Sequence, residues 1–72
     1  SQPVYGAFLD GDNVHDIEFS KSGLLVIGNE AQGISKAVEK TVTQRITIPK
    51  RGGAESLNAS VATAIILDNV FR

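Results

Sequence analysis

The chain has 72 residues, seven lysines and arginines against eight aspartates and glutamates, a formal net charge of −1 and no cysteine. That balance excludes a basic tail that would grip nucleic acid by charge alone, and the missing thiols exclude disulfides and thiolate metal sites. With one histidine, His15, no zinc site is expected, and no apolar run approaches the roughly 20 residues of a membrane span.

At this length one domain is the ceiling. Such a chain buries only about 60% of the surface that its unfolded form exposes. Small domains usually gain help from disulfides, a metal or a partner. With the first two excluded, a partner or another part of the same domain is expected. The sequence holds no methionine, which reads as a processed or excised product. No signal-peptide pattern opens it, so the cytoplasm is the default compartment.

Val4 to Leu9 is rich in β formers and reads as a short strand. Asp10-Gly11-Asp12-Asn13 is a turn signal. Val14 to Phe19 alternates apolar and polar and is either a turn of helix or irregular; Ser20 to Gly23 is a second loop. Leu24-Leu25-Val26-Ile27 is a continuous apolar run, the pattern of a strand buried on both faces of a parallel sheet. Ser35 has the chemistry of an N-cap, and a short helix is expected over Lys36 to Val42. Arg45-Ile46-Thr47-Ile48 alternates with β-branched residues and reads as a strand that Pro49 ends.

Lys50 to Glu55 is a loop with two adjacent glycines, and Ser56 is a second N-cap candidate. The longest helix is expected from Leu57 to about Phe71. Its Val61-Ala62-Thr63-Ala64-Ile65-Ile66-Leu67 stretch is apolar nearly all round, and such a helix is buried on all sides. A chain of this size has too little material to bury it, so a second subunit or another segment is expected on its outer face. Ser60 and Thr63 read as helix-packing residues. The order strand, strand, helix, strand, helix predicts an α/β domain with parallel pairing.

Two blocks matter together: Leu25-Val26-Ile27-Gly28-Asn29-Glu30-Ala31-Gln32-Gly33-Ile34-Ser35, and Ile46-Thr47-Ile48-Pro49 followed by Glu55-Ser56-Leu57-Asn58-Ala59-Ser60-Val61-Ala62. In this order and spacing they resemble the second and third motifs of the SpoU/TrmH family, the RNA ribose 2′-O-methyltransferases of the SPOUT superfamily. The resemblance covers essentially the whole chain. It implies an α/β, parallel-sheet SPOUT-type fold with a C-terminal trefoil knot, and residues 1–72 as the C-terminal portion of a catalytic domain whose N-terminal half is missing. It also implies S-adenosylmethionine as cofactor, rRNA or tRNA as substrate, no membrane and no metal. A homodimer formed through the C-terminal helix is implied too. The family's first motif, an Asn and an Arg in the N-terminal half of the domain, has no counterpart here. A chain without that Arg is also compatible with a non-catalytic module that binds cofactor or RNA and dimerises.

Residue by residue, the resemblance places Ile27, Gly28, Ile48, Pro49 and Leu57 at the cofactor, and Glu30, Ser56 and Asn58 in the catalytic region. By residue type alone Gly28 is a strand-ending turn, Glu30 an exposed turn carboxylate, Ser56 a helix cap, and Ile48 and Leu57 core. The resemblance makes Gly28 a point of close backbone approach to the cofactor. Glu30 then organises the site rather than abstracting a proton. Gly33 permits the turn into the helix. Asn58 lies among apolar residues beside a helix start, where a buried amide needs partners. Lys50 and Arg51 stand open between phosphate contact and a solvated loop pair. A dinucleotide or P-loop reading is set aside. Glu30 stands where the former needs its second glycine, no G-K-[ST] appears, and a carboxylate repels a pyrophosphate.

Overall fold

The computed structural model describes residues 2–28, 33–49 and 59–72. Strand β1 (Val4–Asn13) lies between β2 (Leu24–Val26) and β3 (Gln44–Thr47), and both pair with it in parallel. A short helix α1 (Lys36–Glu39) joins β2 to β3, and α2 (Ala59–Val70) closes the order. The expected α/β pattern with parallel pairing is therefore the observed one.

Side-chain alternation sorts the sheet into two faces. Tyr5 and Ala7 of β1, Leu25 and Ile27 around β2, and Ile46 and Ile48 around β3 fall on one face. There they cluster with Val14, Ile17 and Phe19 and with Ile66 and Val70 of α2. Val14, Ile46 and Ile66 are fully buried. Tyr5 is fixed at both ends: its ring meets Phe19 edge-on at 4.9 Å, and its hydroxyl accepts a bond from the Ser20 amide at 2.8 Å. On the opposite face, a Cβ at Gly6 would lie 2.7 Å from a Val42 methyl, so the segment after α1 packs directly on the β1 backbone.

The expected turn at Asp10–Asn13 is a bulged continuation of β1 instead. Ala7 and Asp12 both stand opposite Ile46, so residues 8–11 swing out of the ladder before it resumes with Asn13 opposite Thr47. Partners on β3 hold the excursion. Gln44 Nε2 donates to Asp12 Oδ2 at 3.2 Å, Thr47 Oγ1 to the Leu9 carbonyl at 3.3 Å, and Arg45 Nη2 to Asp10 Oδ1 at 2.5 Å. Gly11 has a φ of +147°, and a Cβ there would lie 2.7 Å from the Arg45 carbonyl carbon. The turn-forming residues are real, but tertiary bonds use them to bend a strand rather than end it.

Residues 14–19 are irregular, opened by one turn: the Asn13 side chain accepts from the His15 amide at 2.9 Å and its carbonyl from the Asp16 amide at 2.9 Å. The Ser35 cap forms as expected, with its hydroxyl accepting from the Val38 amide at 3.3 Å. The helix expected to reach Val42 stops at Glu39. The β-branched run Thr41-Val42-Thr43 disfavours continuation, and Thr41 Oγ1 takes the Val38 carbonyl at 2.6 Å.

One burial expectation is corrected. β2 is an edge strand among the described residues, and Leu24 is 64% exposed rather than buried on a second face. Helix α2 buries Ile66 and Asn69, while Val61 and Leu67 of the helix and Phe71 just beyond it stand exposed, on the face for which a second subunit or another segment was expected. Thr63 returns its hydroxyl to the Ala59 carbonyl at 2.7 Å.

Asn69 ties α2 to the irregular segment. Its Oδ1 accepts from Arg72 Nη1 at 2.6 Å and lies 3.1 Å from His15 Nδ1, while Arg72 also donates to the Val14 and Ile17 carbonyls. The loop at Lys50–Glu55 and the Ser56 cap lie outside the described residues.

The Arg45 bond holds the Asp10 carboxyl below its ordinary value of 3.8. A depressed folded value makes the pair's contribution full above the ordinary value and lost as pH falls through the lower, folded one. Asp10→Asn is therefore expected to lower stability slightly at neutral pH and to leave it unchanged at the acid extreme, so that the acid limb of the stability curve below the ordinary value of 3.8 becomes flatter. Denaturant titrations at stepped pH check this. The effect is small because the carboxylate is 79% exposed.

Candidate cofactor site at the strand exits

Because β2 and β3 both run parallel to β1, their carboxyl ends open at the same end of the sheet. Ligands of parallel α/β sheets bind at that end. Ile27 and Gly28 follow β2 directly, and Ile48 and Pro49 follow β3. Four of the residues expected at the cofactor thus flank one end of a three-stranded sheet, with β1 between them. The Val14 amide donates to the Thr47 carbonyl at 3.0 Å and secures β1 to β3 just before that exit.

The side chains of Ile27 and Ile48 pack against the buried cluster. Main-chain groups, with Gly28 and Pro49, are then left to meet a ligand. Gly28 shows how tight the β2 exit is. A Cβ there would lie 2.2 Å from the Gly33 carbonyl carbon and 2.5 Å from the Ile34 nitrogen. The chain leaves the strand and returns to within backbone contact before α1 begins. Gly33 turns it with a φ of +70° and open space where a side chain would stand. Gly28 is therefore required by close backbone approach within the chain itself. That is a structural reason, and it stands beside the cofactor contact implied at this position.

Glu30, Ser56, Leu57 and Asn58 lie outside the described residues, as do Lys50 and Arg51. They fall in the stretches that follow the exits, residues 29–32 after Gly28 and 50–58 after Pro49. Residue 58 directly precedes the described part of α2. Two open depressions among the described residues lie elsewhere. One runs between Ile17 and Val70, the other beside Gly11, Val42 and Arg45. Among the described residues no group of three or more His, Cys, Asp or Glu could hold a metal, and no helix is long and apolar enough to cross a membrane.

Sequence reading missed Arg45, Asp10 and Glu39 as a group. Arg45 Nη1 reaches Glu39 Oε2 at 2.8 Å, Nη2 reaches Asp10, and the guanidinium carbon lies 3.7 Å from the centre of the Phe8 ring. The hydrogen bond that Arg45 donates to the Asp10 carboxylate raises the Arg45 pKa above its usual value. Alternation alone marked Arg45 as a strand residue on the face opposite Ile46; nothing local named its partners.

The model of the SpoU rRNA methylase family matches residues 1–68. A tRNA (guanosine(18)-2′-O)-methyltransferase of Aquifex aeolicus is 46% identical over 60 residues, covering 83% of this chain and 28% of that protein. The SpoU methyltransferase AviRb of Streptomyces viridochromogenes, solved with S-adenosylmethionine, superposes with a TM-score of 0.83 at 38% identity. That match covers 94% of this chain and 26% of AviRb. An S-adenosylmethionine-bound rRNA methyltransferase of Sinorhizobium meliloti gives 0.82 at 31% identity, over 96% of this chain and 27% of that one. The chain spans about a quarter of the length of each of these proteins.

Proposed function

Because the chain belongs to the SpoU rRNA methylase family, we propose that it is the C-terminal portion of a catalytic domain that methylates a ribose 2′-hydroxyl of rRNA or tRNA with S-adenosylmethionine. The observation that carries this reading is the shared opening of the β2 and β3 exits at one end of the parallel sheet. The cofactor bound in AviRb and in the Sinorhizobium enzyme supports the choice of ligand, and the 2′-O specificity named for the Aquifex enzyme supports the ribose position.

In this reading Ile27, Gly28, Ile48, Pro49 and Leu57 hold the adenosine part mainly through the main chain. S-adenosylmethionine, when bound, supplies an activated methyl group on a sulfonium. The protein's task is to bring the ribose oxygen in line with that group and to exclude water. A ribose hydroxyl is a poor nucleophile and needs a polarising neighbour. Glu30, Ser56 and Asn58 orient the acceptor side. The first-motif Asn and Arg belong to the upstream half of the domain.

The C-terminal trefoil knot is part of the same proposal. So is a homodimer through the C-terminal helix, supported by the exposed apolar side chains of Leu67 on α2 and Phe71 just beyond it. Incubating the full-length protein with total RNA and methyl-labelled S-adenosylmethionine tests the activity. Nuclease digestion is expected to release labelled 2′-O-methylnucleosides. Label confined to bases, or none in RNA, contradicts it.

A further inference from the structure

Helix α1 is four residues long and buries none of them. A helix this short has no stability of its own. Its orientation is therefore set by its tethers. One is the Ser35 cap at its start, and another is the packing of Val42 on Gly6 just beyond its end. The third is Arg45. From β3 its planar fork reaches Glu39, the last residue of α1, with one arm and Asp10 of the β1 excursion with the other. The Phe8 ring backs the guanidinium plane. An isolated surface ion pair contributes little. This one is a two-armed, ring-backed hydrogen-bonded node in which a single side chain joins three elements, a geometry that lysine cannot copy.

The position of the node matters. Arg45 lies on β3 just before Ile48 and Pro49, and α1 starts where the Gly28–Ile34 closure ends. Tying Glu39 to Arg45 therefore ties the Gly33–Ile34 backbone at the β2 exit to the strand that ends at the other exit. We propose that Arg45 is a positioning residue: through Glu39 it holds α1, and with it the Gly33–Ile34 backbone that packs against Gly28, at a fixed angle to the β3 exit. The role rests on the cofactor reading above. Arg45 itself is engaged by two carboxylates, Asp10 and Glu39.

The test uses the full-length protein and two readouts, well below its melting temperature. In Arg45→Ala and Glu39→Gln, amide hydrogen exchange over residues 33–42 is expected to quicken while exchange in α2 stays unchanged. Calorimetric Kd for S-adenosylmethionine is expected to rise about tenfold in both, since a small misplacement of a binding group costs this much or more. Asp10→Asn, which leaves the α1 arm intact, is expected to change either readout less. Unchanged exchange over 33–42 in Arg45→Ala overturns the clamp. Quickened exchange with a wild-type Kd overturns its link to the cofactor. If the wild-type protein itself binds no S-adenosylmethionine, the functional reading fails, and the exchange result still decides the clamp.

Discussion

Gly28→Ala in the full-length protein is expected to weaken S-adenosylmethionine binding by at least about tenfold and to lower the melting temperature. The added Cβ would lie 2.2, 2.5 and 2.6 Å from the Gly33 carbonyl carbon, the Ile34 nitrogen and the Gly33 oxygen. All three are main-chain atoms, so no side chain can swing aside. Either the exit of β2 moves, or the return of the chain toward α1 moves, and either shift displaces the wall to which the cofactor is assigned. Gly33→Ala supplies the contrast. Its Cβ would meet open space, and its φ of +70° alone opposes the change, at a cost of about 1–2 kcal/mol. Calorimetry and thermal melts of the two variants separate crowding from backbone strain. Wild-type binding and melting in Gly28→Ala would remove the structural argument for this glycine.

The second large effect is in the core. Ile46 and Ile66 are both fully buried, one on the middle of β3 and one on α2, and they belong to one cluster with Tyr5 and Val14. Ile46→Ala and Ile66→Ala are each expected to destabilise the protein by about 2–5 kcal/mol, from lost transfer energy plus the cavity left behind. Because both sites line one cluster, the double variant should depart from the sum of the singles. Urea titrations of the three variants measure this. A loss below about 1 kcal/mol at Ile46 would mean that α2 does not seat on the sheet as described.

The sheet was legible because its pattern is local. Leu24–Ile27 and Arg45–Ile48 carry the apolar and β-branched signals of parallel strands, and each forms within a residue or so of its expected bounds. The Ser35 cap was legible for the same reason. The Asp10–Asn13 segment was not, since its turn residues are recruited by Gln44, Arg45 and Thr47 from more than thirty positions away. Asn69 is a polar residue in an apolar helix, yet it becomes a buried anchor for Arg72, three residues on, and for His15, which no window along the chain connects to it. Periodicity marked α2 as a helix with more apolar surface than this chain covers, and Val61 and Leu67 are exposed on it.

The candidate site is assigned by resemblance. Glycine after a strand is common, and Gly28 acquires its significance from the backbone packed against it and from the pairing of its block with Ile48-Pro49. Glu30, Ser56, Leu57 and Asn58 lie outside the described residues, so their assignment rests on that pairing.

A crystal structure of the full-length protein with S-adenosylmethionine tests the central claim most directly. The account predicts adenosine density against the main chain of Ile27-Gly28, Ile48-Pro49 and Leu57, at the shared end of β2 and β3. Density at the opposite end of the sheet, or against the Ile17–Val70 depression, would contradict it.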